Sequence, residues 1–253
     1  MPGRFVRVAA VGAAITVPIG AYAFVVRPWV RLWGVDATEA ATLLPGDEVV
    51  PDATAVETRG ITIDAAVGDV WPWLVQMGYG RAGFYSYDQL DMKGHSATDV
   101  RPDWQQLAVG DALPTHPGGG FSVRTLEPEH ALVVYVDSEM AATWTKETGP
   151  APTAGIGASG AFLGTSMPTE FAGTWAWVVK ATPEGNTRLI ERIRFRFPAD
   201  ERTRGVALGA LGFGIFVMMR KQMLGIRDRA ERLARTRLSA PYTPPVMASP
   251  TPA

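Results

Sequence analysis

The fold is decided by two stretches, Thr58-Arg-Gly-Ile-Thr-Ile-Asp-Ala-Ala-Val-Gly-Asp-Val-Trp-Pro-Trp-Leu-Val-Gln-Met77 and, shortly after it, Gly83-Phe-Tyr-Ser-Tyr-Asp88. From Ala55 to Ile63 the residues form two alternating sets, with Thr58 and Thr62 in one and Ile61 and Ile63 in the other, which predicts a strand. Asp64 is the expected cap of a helix that runs from about Ala66 to Met77. The chain therefore passes from a strand directly into a helix, and a loop with three aromatic rings follows.

This order of elements resembles the start of the START-like superfamily, also called SRPBCC, which includes polyketide cyclases, aromatase/cyclases and lipid-transfer domains. Three short phrases resemble its membrane-attached bacterial members: Leu44-Pro-Gly-Asp-Glu48, His95-Ser-Ala97 and Pro102-Asp-Trp-Gln105. The resemblance covers residues 55–238. It implies an α+β helix-grip fold, in which an antiparallel sheet wraps around a long C-terminal helix and encloses an apolar ligand.

Composition narrows the possible functions. The 253 residues are 47% hydrophobic and 19% charged, against about 25% charged residues in typical soluble proteins. The net charge of −1 argues against a nucleic-acid partner, because phosphate neutralisation needs a basic surface. The absence of cysteine excludes disulfides and thiolate metal sites. No nucleophile elbow, phosphate loop or zincin motif occurs, and we expect neither a cofactor nor a metal.

The N-terminal segment has the character of a membrane anchor. Val8 to Val26 is a run of nineteen uncharged residues, about 28 Å long as a helix, close to the thickness of a bilayer core. Arg27, Trp29 and Arg31 close it with interfacial residue types. The alternative is a signal peptide cleaved after Ala21-Tyr-Ala23. Cations on the two sides nearly balance, so the side of the membrane that carries the domain is left open.

We divide the chain into four parts: an anchor over 1–31, a linker helix over 32–54, the helix-grip domain over 55–238, and a disordered proline-rich tail over 239–253. The linker helix is expected to be capped by Asp36 or Thr38. Within the domain, alternation predicts an antiparallel meander of four strands, Phe121 to Leu126, Ala131 to Asp137, Thr174 to Lys180 and Leu189 to Phe197. Ala141 to Phe171 is interpreted as a long mobile insertion.

A long C-terminal helix is predicted from Glu201 to Leu238. Its apolar stripe recurs at three and four residue steps: Phe216, Met219, Met223, Ile226, Ala230 and Leu233. The glycine-rich half, Gly205 to Met219, is expected either to pack against the N-terminal anchor or to dip into the membrane surface. The basic half, Arg220 to Arg237, is either a surface for anionic lipid headgroups or an ordinary solvated face.

Strand periodicity assigns the cavity face, because residues two apart point the same way. Trp175 and Trp177 share one face, and so do Glu191 and Ile193 on the next strand. The opposite face of that strand carries Arg192, Arg194 and Arg196, which we expect to be solvated or interfacial. Glu191 is a carboxylate on an apolar face, so it should meet an arginine, a hydroxyl or the ligand, or else lie at the edge of the sheet.

The predicted ligand-contacting residues combine this face, the loop aromatics and the C-terminal helix. They are Trp73, Met77, Phe84, Tyr85, Tyr87, Trp104, Tyr135, Trp175, Trp177, Glu191, Ile193, Phe195, Phe216 and Met219.

Two functions remain open from the sequence. The first is a membrane-anchored protein that binds or transfers a hydrophobic molecule such as a lipid, an isoprenoid or a polyketide-like compound, with membrane lipid as a second partner and protein partners unknown. The second is a cyclase or dehydrase that uses His95, Tyr85, Tyr87 or Glu191 as acid or base. The polar loop from Asp91 to Gln106 favours a structural role for His95, since no second histidine stands at metal-ligand spacing.

Overall fold

The structure is a computed structural model that describes residues 26–91, 95–117, 119–148, 170–197 and 205–239. Its helices are α1 (Arg27–Arg31), α2 (Ala37–Ala41), α3 (Val67–Val75), α4 (Asp88–Asp91), α5 (Ser138–Thr148) and α6 (Gly205–Ser239), with a 3₁₀ turn at Pro102–Trp104. Its strands are β1 (Ala55–Ile63), β2 (Ala112–His116), β3 (Gly119–Glu127), β4 (Ala131–Asp137), β5 (Ala172–Ala181) and β6 (Thr187–Arg196).

The six strands form one antiparallel sheet in the order β1-β6-β5-β4-β3-β2. The chain's first strand therefore pairs with its last. Arg59 of β1 and Trp177 of β5 both lie directly opposite Glu191 of β6, so these three side chains project from the same face. The predicted meander is confirmed, and β2 is a further strand that the sequence pattern did not indicate.

The C-terminal helix α6 covers one face of the sheet together with α3. Met223, Ile226 and Ala230 of α6 are fully buried in a core that also contains Trp73 and Trp177. At Gly225 the helix approaches the aromatic loop so closely that a Cβ atom would lie 2.1 Å from the backbone oxygen of Tyr85. The predicted helix and its apolar stripe are confirmed, with Leu233 only half-buried. An antiparallel sheet gripping a long C-terminal helix is the helix-grip architecture.

The opposite face of the sheet is covered by residues 34–54. Leu44 of this segment packs with Ala131, Val178 and Ile190 in a second small core. Arg192, expected to be solvated or interfacial, is buried at the interface with this segment and is 3% exposed. The solvated alternative is wrong for Arg192, because a segment distant in sequence lies over it.

Three local expectations are corrected or refined. Asp36 caps α2 as predicted, since its side chain accepts a hydrogen bond from the backbone nitrogen of Glu39. Asp64 does not cap α3, since Ala66 occupies the cap position without a side-chain hydrogen bond. The predicted insertion begins with α5, whose first turn is capped by Asp137 through the backbone nitrogen of Met140 at 2.8 Å. Residues 149–169 lie outside the described residues.

The start of the described chain packs on α6. The ring of Trp29 meets Phe216 edge-on at 5.3 Å, and Trp33 meets the same ring at 6.2 Å. Residues 8–25 of the predicted anchor and the tail from 240 lie outside the described residues. In the portion of the chain that is described, no helix has the length and apolar character that a bilayer crossing requires.

Candidate ligand cavity

A cavity of about 170 Å³ lies between the sheet and α6 and opens to solvent on one side. Its lining is almost entirely apolar or aromatic: Phe84, Ser86, Thr115, Phe121, Trp175, Ile193, Phe195, Ile215, Met218, Met219 and Gln222. Buried apolar cavities of about 150 Å³ are known to admit one aromatic ring. This cavity therefore suits a compact apolar group, and a longer molecule would extend through the open side.

Trp175 is the centre of the aromatic wall. Phe84 stacks on its indole at 6.0 Å with 12° between the ring planes. Phe121 meets it edge-on at 5.9 Å, and Trp177 lies 4.4 Å away. The strands dictate this arrangement, because Trp175 and Trp177 are two residues apart on β5 and point to the same face. The predicted face assignment of the two tryptophans is confirmed.

Glu191 lies behind this wall and is 1% exposed. Its Oε1 accepts a hydrogen bond from the indole nitrogen of Trp175 at 2.6 Å. Among the described residues, none donates a hydrogen bond to its Oε2. Glu191 thus positions the lining residue Trp175 through one carboxyl oxygen, and its other oxygen is unpaired among the described residues.

Arg59 lies opposite Glu191 on the neighbouring strand, but its donors are directed elsewhere. Its Nε donates to the backbone oxygen of Val30 at 3.1 Å, and its guanidinium also contacts the sulfur of Met219 and forms an ion pair with Glu57. Burial raises the pKa of Glu191 to about 7, while Arg59 and the Trp175 hydrogen bond oppose the rise. Because Glu57 already neutralises Arg59, the protonated form of Glu191 leaves this buried cluster electrically neutral.

The structure brings together some of the predicted ligand-contacting residues and separates others. Five of them line the cavity: Phe84, Trp175, Ile193, Phe195 and Met219. Six are buried but do not line it: Trp73, Met77, Tyr85, Trp177, Glu191 and Phe216. Three are partly or largely exposed and lie apart from it: Tyr87, Trp104 and Tyr135.

The acid/base candidates do not converge. The side chain of His95 is 98% exposed, and its Nδ1 lies 3.7 Å from Asp88. Tyr85 is buried, its hydroxyl donates to the backbone oxygen of Trp73 at 3.0 Å, and burial raises its pKa. Tyr87 lies at the surface. Within the described ranges, no group of three or more histidines and carboxylates could hold a metal ion.

The polar loop that contains His95 is held by structural contacts. Ser96 donates its hydroxyl and backbone N–H to Asp88. The side chain of Gln76, from the end of α3, bonds the backbone of Asp99 and of Arg101. These contacts attach the loop to the domain.

Six lining residues and one neighbour were not anticipated. They are Ser86, Thr115, Phe121, Ile215, Met218, Gln222 and, beside Glu191, Arg59. Arg59 could have been predicted from the sequence. It shares one face of β1 with Ile61 and Ile63, and Glu191 was expected to need a polar partner on such a face. Gln222 could also have been predicted, as an uncharged polar residue on the buried stripe of α6.

The sheet order and the gripping helix settle the architecture. The fold has the helix-grip architecture that the sequence resemblance implied. No protein-family model matches the sequence, and neither does any curated protein.

Several solved structures resemble the chain. Protein MLL2253 from Mesorhizobium loti has 14% identity and a TM-score of 0.35, over 70% of this chain and 98% of its own. The Polyketide_cyc-like protein Cgl2372 from Corynebacterium glutamicum has 13% identity and a TM-score of 0.29, over 73% of this chain and 93% of its own. The di-domain ARO/CYC StfQ from the steffimycin biosynthetic pathway has 14% identity and a TM-score of 0.36, over 76% of this chain and 54% of its own. At these identities and scores the similarities specify neither a ligand nor a reaction.

Proposed function

We propose that the protein binds a hydrophobic small molecule in the cavity between the sheet and α6. The observation that carries this proposal is the lining itself, in which aromatic rings and methionines surround a space open on one side. A solvated space with apolar walls is unfavourable, and an apolar occupant removes that surface from water. Ligand pockets are commonly built in this way, with a few polar groups that fix orientation.

Binding is favoured over catalysis because the acid/base candidates are dispersed. His95 lies in solvent, and Tyr85 uses its hydroxyl within the core. General acid/base chemistry requires a group within hydrogen-bond reach of the reacting atom. Neither residue lines the cavity.

A cyclase-type or dehydrase-type enzyme is the second candidate, and one observation favours it. The pKa of Glu191, raised to about 7 by burial, lies where a general acid or base is most effective near neutral pH. Glu191 itself does not line the cavity, and its Oε1 already accepts from the Trp175 indole, so only its unpaired Oε2 is free to act as acid or base. Replacement by glutamine separates the two functions, because a binding protein keeps its ligand and an enzyme loses its product.

We further propose that the protein works at a membrane, anchored by residues 8–26. The exposed rings of Trp29 and Phe213 both contact Phe216, at 5.3 Å and 6.2 Å, and so form one apolar patch. The uncharged run ends at Val26, directly before the helix that carries Trp29. Arg220 lies 5.1 Å over the ring of Trp33 beside this patch. Aromatic side chains with neighbouring cations are typical of the membrane interface.

The binding proposal is tested by filling the cavity. Ile215 lines it, so Ile215→Trp should weaken the binding of naphthalene by about tenfold or more, because the added ring occupies the ligand volume. Phe213→Trp is the matched control, since residue 213 lies on the same helix with an exposed side chain outside the lining. Isothermal titration calorimetry measures both. Equal naphthalene affinity in the two variants would contradict the proposal.

Membrane attachment is tested by fractionating cells that express the full chain. We expect the protein in the membrane fraction and resistant to salt extraction. Replacing Ala13 and Ala14 by aspartate should release it, since charges at the centre of a span oppose insertion. Recovery of the unaltered chain in the soluble fraction, or a mature N-terminus at Phe24, would contradict anchoring.

A further inference from the structure

Gln222 is the most buried polar residue of the cavity lining. It is 2% exposed and projects from α6 among the apolar lining residues. Its neighbours in the same helix, Met218 and Met219, are also lining residues. A methionine at position 222 would fill similar space without a polar group. The amide therefore needs a reason other than packing.

The hydrogen bonds of Gln222 are unequal. Its Nε2 lies 3.6 Å from the sulfur of Met77, so the donor side of the amide faces the protein core. Its Oε1 receives no hydrogen bond from any residue in the described ranges. A buried carbonyl without a donor destabilises a fold. Because Gln222 lines the cavity, its unpaired oxygen is the candidate acceptor for a ligand there.

Two other polar groups of the lining, in Ser86 and Trp175, are already committed as donors, and Thr115 is the remaining polar side chain of the lining. The hydroxyl of Ser86 donates to the backbone oxygen of Met218 at 2.8 Å. The indole N–H of Trp175 donates to Glu191. A ligand that enters deeply therefore finds an unpaired acceptor at Gln222 and two donors directed away from it.

We propose that the cavity recognises an apolar molecule that carries a hydroxyl group, and that this hydroxyl donates a hydrogen bond to Oε1 of Gln222. This inference rests on the proposed binding function and adds the chemical class of the ligand. The apolar body of the molecule lies against Trp175, Phe84 and Ile193, and Gln222 fixes its polar end. Sites that hydrogen-bond a ligand hydroxyl discriminate strongly against analogues that lack it.

The experiment uses a matched pair of probes, 2-naphthol and 2-methoxynaphthalene, with the full chain and isothermal titration calorimetry. The two probes share the fused rings, but only 2-naphthol has a hydroxyl proton to donate. The wild-type protein should bind 2-naphthol about tenfold more tightly, because only that probe satisfies the buried acceptor. Gln222→Met should bind the two probes with equal affinity.

Lys221→Met is the control, because residue 221 is exposed on the same helix and does not line the cavity. It should keep the wild-type preference. The thermal midpoint of ligand-free Gln222→Met should equal or exceed that of the wild type, since the substitution removes an unpaired buried oxygen. A retained midpoint shows that the variant folds.

Each remaining result contradicts the inference. Equal binding of both probes by the wild-type protein would refute hydroxyl recognition and leave the binding function intact. A hydroxyl preference that survives in Gln222→Met would show that another group reads the hydroxyl. Failure of the wild type to bind either probe or naphthalene would refute the binding function together with the inference.

Discussion

Glu191 and Arg192 are consecutive on β6, are almost equally buried, and face opposite sides of the sheet. Arg192 donates to the hydroxyl of Thr58, to Asp47 and to two backbone oxygens of the linker segment, at distances of 2.6 to 2.9 Å. Glu191 receives one hydrogen bond, and its second oxygen has no partner among the described residues. The buried charge on the linker face is thus fully paired, and the buried carboxyl group on the helix face is not.

The difference indicates that the two faces of the sheet have different roles, one as a structural interface and the other as the side that carries the cavity. The linker face holds a buried ion pair with every contact made by protein atoms, as a fixed interface requires. The helix face keeps unpaired oxygens on Glu191 and Gln222 beside a cavity. Unsatisfied buried polar groups are uncommon in native proteins, and each calls for an explanation. The proposed ligand would supply that explanation for Gln222, which lines the cavity.

The largest effect is expected on the paired face. Arg192→Met should lower the free energy of unfolding by about 3–5 kcal/mol, because it removes the close ion pair of the buried Asp47 carboxylate. Asp47 then keeps only the backbone N–H of Leu44 at 3.0 Å and the weaker contact to Arg194 at 3.5 Å among the described residues. Urea denaturation at neutral pH measures the change. Naphthalene affinity of the folded variant should be unaltered, since the cavity lies on the other face.

Arg196→Met is the matched control for that substitution. Arg196 lies in the same row of β6 but pairs with Asp52 in an exposed contact at 3.1 Å. It should change stability by about 0–1 kcal/mol. Equal losses at 192 and 196 would remove the distinction between a buried, paired interface and a solvated one.

A smaller effect is expected on the unpaired face, where deprotonation of Glu191 lowers stability. The pKa of Glu191 is raised to about 7 from an ordinary value of 4.5, so the folded state holds a proton that the unfolded state releases. The contribution of Glu191 to stability should therefore be greatest below about pH 4.5, fall as the pH rises to about 7, and then level off, with a total loss of about 3 kcal/mol. The measurement is denaturation of the wild type and Glu191→Gln across this range.

Glu191→Gln isolates that contribution, because glutamine keeps an oxygen for the Trp175 N–H and has no charge to bury. Above pH 7 the variant should be as stable as the wild type or more stable. A difference between the two proteins that does not change with pH would show that Glu191 is not held in its protonated form.

The sequence was sufficient for features that depend on local periodicity. Alternation along β5 places Trp175 and Trp177 on one face, whatever the position of the strand in the sheet. The apolar stripe through Met219 and Met223 likewise determines which side of α6 faces the sheet. The need of Glu191 for a polar partner also followed from its position on an apolar face. These predictions require only the periods of strands and helices.

Features that depend on contacts between segments far apart in the chain could not be predicted from the sequence. The linker segment was expected to dock onto the domain, but no local pattern reveals that it lies over the face of the sheet that carries Arg192. The proximity of Arg59 to Glu191 requires β1 to pair with β6, across most of the domain. The strand β2 was missed because Pro114 interrupts its alternation, and proline is atypical of a strand interior.

The most direct test of ligand binding on the helix face uses methionines as reporters. Met218 and Met219 line the cavity, and Met140 lies on α5 outside its lining. With ¹³C-methyl-labelled methionine, addition of naphthalene should shift the resonances of Met218 and Met219 through the aromatic ring current and leave Met140 unchanged. Shifts at Met140 alone, or no shift at saturating naphthalene, would contradict binding in the cavity.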